Sequence, residues 1–118
     1  MWNLYIGVDI EDIKRFEDKS QEFLDRIYTK EEQEYCLSKP RPSSHFAVRF
    51  CAKEAVIKAL NSMGINHPRL NKIEIYHDKN KCPQVKLLND FNNKLTIRVS
   101  LSHDKTKAIA FVMIEKKD

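Results

Sequence analysis

Glycine is nearly missing from this chain: its 118 residues contain two, Gly7 and Gly64. A glycine-rich phosphate loop or a G-x-G-x-x-G dinucleotide fingerprint cannot be built from two such distant glycines. Any phosphate bound here must be held by side chains, helix ends or a metal. Cysteine is scarce as well, and Cys36, Cys51 and Cys82 are an odd number with no C-x-x-C pair. That spacing argues against a disulfide framework and against a zinc knuckle, so the expectation is reduced thiols, with Cys51 inside a core helix. No apolar run approaches the roughly 18–20 residues of a membrane span. The opening Met-Trp-Asn-Leu-Tyr-Ile lacks the basic region and long apolar stretch of a secretory signal, so a cytoplasmic protein without a membrane partner is expected. Ser-His-Asp, H-E-x-x-H and EF-hand patterns are missing too. Nothing in the chain reads as a repeat, a low-complexity tract or a linker, and one domain spanning residues 1–118 is expected.

What is present describes a folded globule, because 42% hydrophobic residues against 32% charged is too apolar for disorder. A formal net charge of +4 is mild and favours anionic partners without choosing among them. Trp2, Leu4, Ile6 and Val8 alternate with Asn3, Tyr5, Gly7 and Asp9, the period of a half-buried strand that runs out at Asp9. Ile10, Ile13 and Phe16 follow at helical spacing, and Phe23, Leu24 and Ile27 continue an apolar stripe. Thr29 and Glu32 form a capping box opening a short helix that must end before Pro40. A basic loop, Lys39 to Ser44, leads into the longest helix, expected from His45 to Met63 with Ser44 as N-cap. Beyond Gly64 the period becomes two. Ile73 and Ile75 pair with Val85 and Leu87 across a turn at Asp78-Lys79-Asn80-Lys81. Leu95, Ile97, Val99 and Leu101 form a strand, His103-Asp104-Lys105-Thr106 turns the chain, and Ala108 to Ile114 is apolar on both faces like a central strand. The fold class expected is α+β, an antiparallel sheet with a long central helix and short flanking helices.

The long helix carries Arg49, Lys53, Glu54 and Lys58 among its apolar residues. Glu54 and Lys58 are four apart and share a face with Phe50; Arg49 and Lys53 share another. Asp9 at a strand end and His103 in a turn read, each alone, as ordinary turn residues. Together, two acids and several cations could converge on a magnesium-bound phosphate, but spacing alone names no reaction.

Three segments read jointly go further. Ile6-Gly7-Val8-Asp9-Ile10-Glu11-Asp12-Ile13-Lys14-Arg15-Phe16 resembles the opening motif of the holo-acyl-carrier-protein synthases, the small bacterial 4′-phosphopantetheinyl transferases. Arg49-Phe50-Cys51-Ala52-Lys53-Glu54-Ala55-Val56-Ile57-Lys58-Ala59 matches their central R-F-x-A-K-E-A-x-x-K-A, and Ser100-Leu101-Ser102-His103-Asp104 resembles the turn before their last strand. The resemblance implies transfer of 4′-phosphopantetheine from coenzyme A to a serine of apo acyl carrier protein, with release of adenosine 3′,5′-bisphosphate. It also implies Mg²⁺ held by Asp9 and Glu54, with Glu54 as base and Lys58 on the phosphates. Arg49, His103, Pro83, Lys39 and Arg41 become expected coenzyme A contacts, and Lys14, Arg15 and Arg26 an expected docking surface for the carrier. A homotrimer with sites between subunits, served by an apolar outer sheet face, is implied by the same likeness. Two departures stand out: Lys58-Ala59-Leu60-Asn61-Ser62-Met63-Gly64 replaces the usual K-A-x-G-T-G, and Asn80-Lys81-Cys82-Pro83 replaces N-G-K-P. The alternatives are a catalytically weak trimeric scaffold, which would lack metal-dependent turnover, and a basic nucleic-acid-binding module. Nucleic acid is not an expected partner, because the cations alternate with nearly as many acids.

Overall fold

Strand β5, Lys107–Lys116, is paired on both edges, with Ala108, Ala110, Val112 and Ile114 buried on one face and Ile109 and Phe111 exposed on the other. In this computed structural model, which describes residues 3–88 and 95–117, β1 (Leu4–Asp12) and β4 (Leu95–His103) pair with it antiparallel, giving the order β1-β5-β4. A separate hairpin joins β2 (Ile73–His77) to β3 (Pro83–Leu87). Helices α1 (Gln21–Ile27), α2 (Lys30–Leu37) and α3 (Pro42–Ser62) complete the fold, which is α+β as expected. Among the described residues no helix is long and apolar enough to cross a membrane.

Helix α3 lies across the inner face of β1 and β5, and its sequence explains how closely. Ala47, Cys51, Ala52, Ala55 and Ala59 are all fully buried, and small side chains at these positions let the helix settle onto the sheet. The closest approach is at Gly7, where an added Cβ would stand 2.0 Å from the Ala55 carbonyl oxygen. The Cβ would stand on a paired strand and the carbonyl belongs to helix backbone, so neither can step aside. We expect Gly7→Ala to separate β1 from α3 and to lower stability by at least about 3 kcal/mol. A denaturant melt checks this, and a loss below about 1 kcal/mol would contradict the packing described.

The capping box is present as read: Thr29 N donates to Glu32 Oε1 at 2.9 Å and Glu32 N donates to Thr29 Oγ1 at 3.2 Å. Three expectations need correction. β1 does not end at Asp9 but continues through Asp12, and Ile13–Phe16 is a short 3₁₀ turn rather than a helical stripe beginning at Ile10. Nine consecutive pairs with β5 hold the strand out that far. Helix α3 begins at Pro42, not His45; the fixed φ of proline suits a first helical position, and Ser44 lies inside the first turn, donating to the Arg41 carbonyl at 2.9 Å. His103 closes β4, while Asp104 makes the turn by accepting from Thr106 N and Lys107 N, both at 2.8 Å.

The alternation in β1 is as expected, yet its apolar stripe is the exposed one. Leu4, Ile6, Val8 and Ile10, with Ile109 and Phe111 of β5, are 40–61% exposed on the outer face. Tyr5, Gly7, Asp9 and Glu11 face the helix instead. Trp2, read as part of that stripe, lies outside the described residues. The turn between β2 and β3 places Lys81 at φ 64°, in the left-handed region that glycine occupies without penalty. Lys81→Gly is therefore expected to raise stability by up to about 1 kcal/mol, measured by thermal denaturation. A loss of stability would mean that the Lys81 side chain has a compensating role.

Candidate active site

Asp9 projects from the inner face of β1 toward α3, because alternation turns every second residue of that strand inward. Lys58 reaches it from the last turns of α3: its ammonium donates to Asp9 Oδ1 at 3.1 Å and to the Val8 carbonyl at 2.8 Å. Asp9 Oδ2 is buried and has no hydrogen-bond partner. Glu54, one turn before Lys58, has its carboxyl pushed up from the ordinary range, by burial first and then by the Asp9 carboxylate, with Lys58 opposing. Glu11 shares the inner face with Asp9 and is raised for the same two leading reasons, burial and Asp9, against the ion pair it makes with Arg15. Acids crowded in this way lower their mutual repulsion by taking up protons or by sharing a cation. Among the described residues no group of three or more His, Cys, Asp or Glu side chains is arranged to hold a metal unaided. The Asp9 and Glu54 pair does suit Mg²⁺, which binds one or two carboxylates and completes its shell with water and phosphate oxygens. The unpartnered Asp9 oxygen is the donor such an ion would use.

A second centre forms on the other flank of α3, beside α2 and β2. Arg49 is 2% exposed, and its guanidinium lies 4.3 Å from the centroid of the Tyr35 ring. Lys39 stands over the same ring at 4.6 Å. Pro83 is the register partner of His77, the strand residue beside Arg49. His103 is exposed, with Nδ1 3.3 Å from the Asp104 carbonyl, and it is among the positive neighbours of His45. On an α-helix Glu54 lies about 140° around and about 7.5 Å along from Arg49. One chain therefore carries two polar centres facing in different directions.

A profile of the 4′-phosphopantetheinyl transferase superfamily matches residues 5–112. The chain belongs to this superfamily. It is similar to the holo-[acyl-carrier-protein] synthase of Chloroherpeton thalassium, with 39% identity over 95% of this chain and 98% of that protein. The synthase of the same name from Caldicellulosiruptor saccharolyticus is 41% identical over 96% of this chain and 97% of that protein. Among solved structures, the Bacillus anthracis holo-(acyl-carrier-protein) synthase in complex with CoA (3′,5′-ADP) superposes with a TM-score of 0.80 at 29% identity, covering 96% of each chain. The Helicobacter pylori synthase in complex with coenzyme A gives 0.77 at 31% identity, over 93% of this chain and 99% of that one.

Within this member of the superfamily, the expected site residues distribute unevenly. Asp9, Glu54 and Lys58 converge, although Lys58 pairs with Asp9 rather than Glu54. Arg49, Lys39 and Pro83 gather near His77, whereas Arg41 lines a groove of about 650 Å³ with Lys14, Arg15 and Lys105. Arg26 sits in the last turn of α1. Sequence reading passed over Glu11, Tyr35, His45 and His77. Glu11 was legible as the next inward residue after Asp9, and His45 as the residue one turn before Arg49. His77 carried no such signal, since only the fold brings β2 beside α3.

Proposed function

We propose that this protein is a Mg²⁺-dependent holo-[acyl-carrier-protein] synthase that transfers 4′-phosphopantetheine from coenzyme A to a serine of apo acyl carrier protein. The observation that carries the reading is the convergence of Asp9, Glu54 and Lys58 in a chain of this superfamily. The serine oxygen forms a bond to the β-phosphorus, the bridging P–O bond breaks, and adenosine 3′,5′-bisphosphate leaves. Glu54 takes the serine proton; a carboxyl raised above its ordinary range is a better base than a free one. Asp9 and Glu54 would hold Mg²⁺, which when bound neutralises charge on the pyrophosphate. Lys58 supplies fixed positive charge beside the same oxygens, and its ion pair with Asp9 positions both groups before substrate arrives. Arg49, Lys39, Arg41, His103 and Pro83 serve the remainder of coenzyme A.

The carrier docks on Lys14, Arg15 and Arg26. Arg15 is the central one, held over the Phe16 and Phe50 rings at 5.6 and 5.4 Å and tied to Glu11 next to Asp9. Arg15→Glu is expected to raise KM for the carrier about tenfold, equivalent to about 1.4 kcal/mol, with little change for coenzyme A. Equal changes in both constants would move docking elsewhere. A homotrimer suits the molecule in two respects: its outer sheet face is apolar and exposed, and its two polar centres face apart, as two halves completed by a neighbour. The reaction belongs in the cytoplasm, where coenzyme A is substrate and the free cysteines stay reduced.

The test follows adenosine 3′,5′-bisphosphate by chromatography as apo carrier is titrated in. Release that requires both carrier and Mg²⁺ supports the reading. A folded protein that releases none, and that binds oligonucleotide with steep salt dependence, would favour a nucleic-acid module.

A further inference from the structure

Of the two acids that β1 turns toward α3, Asp9 has a task in the mechanism and Glu11 has none. The Glu11 side chain is nevertheless almost as enclosed, 15% exposed against 12% for Asp9. Residues i and i+2 of a strand share a face, and the Glu11 carboxyl meets that of Asp9 there. Carboxylates placed in this way repel each other. Arg15 answers the repulsion, its Nη1 donating to Glu11 Oε1.

Arg15 is not itself buried. Its side chain is 56% exposed, and the Phe16 and Phe50 rings support the guanidinium at 5.6 and 5.4 Å. The Phe50 ring packs 5.2 Å from that of Phe16, and Phe50 precedes Glu54 by one turn of α3. Among the described residues Glu11 is the only hydrogen-bond partner of this guanidinium, so most of its five donors stay open to solvent. The groove it borders, of about 650 Å³, also carries Lys14, Arg41 and Lys105, with Asp12 and Glu17. A partner recognised by those cations brings carboxylates, and a carboxylate that reaches Arg15 must share it with Glu11.

We propose that Glu11 is a positioning residue that couples the carrier surface to the metal pair, so that Mg²⁺ and the carrier strengthen each other's binding. The proposal rests on the synthase reading above, in which Arg15 docks the carrier and Asp9 and Glu54 hold Mg²⁺. With neither ligand bound, Arg15 neutralises Glu11, and Glu11 draws Arg15 inward. A divalent cation at Asp9 and Glu54 attracts Glu11 as well, which loosens the ion pair and frees Arg15 for the carrier. A docked carrier does the reverse: it takes up Arg15 and leaves the negative charge of Glu11 to the metal. Both effects are one coupling free energy, and linkage requires the same factor in the two directions. The expected factor is about fivefold, the low end for coupled sites, because the exposed Arg15 is partly screened.

The test is calorimetric titration of an apo carrier whose acceptor serine is replaced by alanine, so that binding is measured without transfer. Wild-type protein and Glu11→Gln are each titrated with saturating Mg²⁺ and again with EDTA, without coenzyme A. Wild type should bind the carrier about fivefold more tightly with Mg²⁺, and the variant less than about twofold more tightly. Glutamine keeps an acceptor for Arg15 but has no charge for the metal to attract. An equal gain in both proteins means plain attraction between carrier and metal, and overturns the proposal. No gain in wild type overturns it too. Should Glu11→Gln fail to fold, the Arg15 Nε–H resonance of the wild type, assigned through Arg15→Lys, decides instead. That resonance must shift when Mg²⁺ is added without carrier, and an unmoved resonance overturns the proposal. Wild-type protein that binds no carrier in either condition overturns the docking reading itself, a different result from binding without coupling.

Discussion

Glutamine in place of Glu54 is expected to lower kcat by about 10²–10⁴-fold, the range removed with a general base, while the fold survives intact. The carboxyl sits half-buried beside Asp9, and its raised titration says that the charged form is disfavoured there. A neutral isostere removes a repulsion and no structural contact, so the melting temperature should hold or rise by a few degrees. The pairing of those two results is the informative part. A residue kept for stability would show the opposite pattern, with a lower melting temperature and preserved turnover. Initial rates at saturating Mg²⁺, with thermal melts on the same samples, decide it. Turnover within threefold of wild type would remove Glu54 from the chemistry.

Lys53→Met should produce the largest loss of stability. Lys53 lies one residue before Glu54, about 100° away around the helix, and is fully buried. Its ammonium pairs with Glu32 Oε1 at 2.7 Å, donates to the Leu70 carbonyl at 2.9 Å, and donates also to the Ile73 carbonyl. Glu32 in turn accepts from Thr29 N and Ile75 N, each at 2.9 Å. One buried ion pair thus fastens α3, the start of α2 and the β2 hairpin together. Removing its cation leaves Glu32 charged and dry, which costs about 3–5 kcal/mol. For a domain of this size that is roughly 10–20 °C in melting temperature. A shift below about 3 °C would mean that water or rearrangement compensates the unpaired carboxylate. Lys53→Met/Glu32→Gln should recover part of the loss, because the stranded charge is gone.

Much of this architecture was legible beforehand. Periodicity alone located β4, β5 and the β2–β3 hairpin, and Thr29 with Glu32 marked the start of α2. The direction in which β1 faces was not legible. An alternating strand shows two stripes, and the apolar one normally faces the core. Here Gly7 must face the helix, because nothing larger fits under Ala55, so Asp9 and Glu11 go inward and the isoleucines outward. The site followed the same rule. Asp9, Glu54 and Lys58 were visible through their motifs, but the Asp9–Lys58 pairing depends on how α3 crosses β1. Lys53 and Arg49, four apart, share one helical face by their spacing, yet nothing in that spacing marks both as buried. Their partners Glu32, Tyr35 and His77 come from two other elements.

The central claim meets its most direct test in intact-mass analysis of an apo acyl carrier protein. The carrier is incubated with this protein, coenzyme A and Mg²⁺, with EDTA and Glu54→Gln as controls. The account predicts a gain of one phosphopantetheine, lost in EDTA and nearly lost with the variant. No gain on any of several carriers, from a folded protein, would contradict it and leave a scaffold without catalysis.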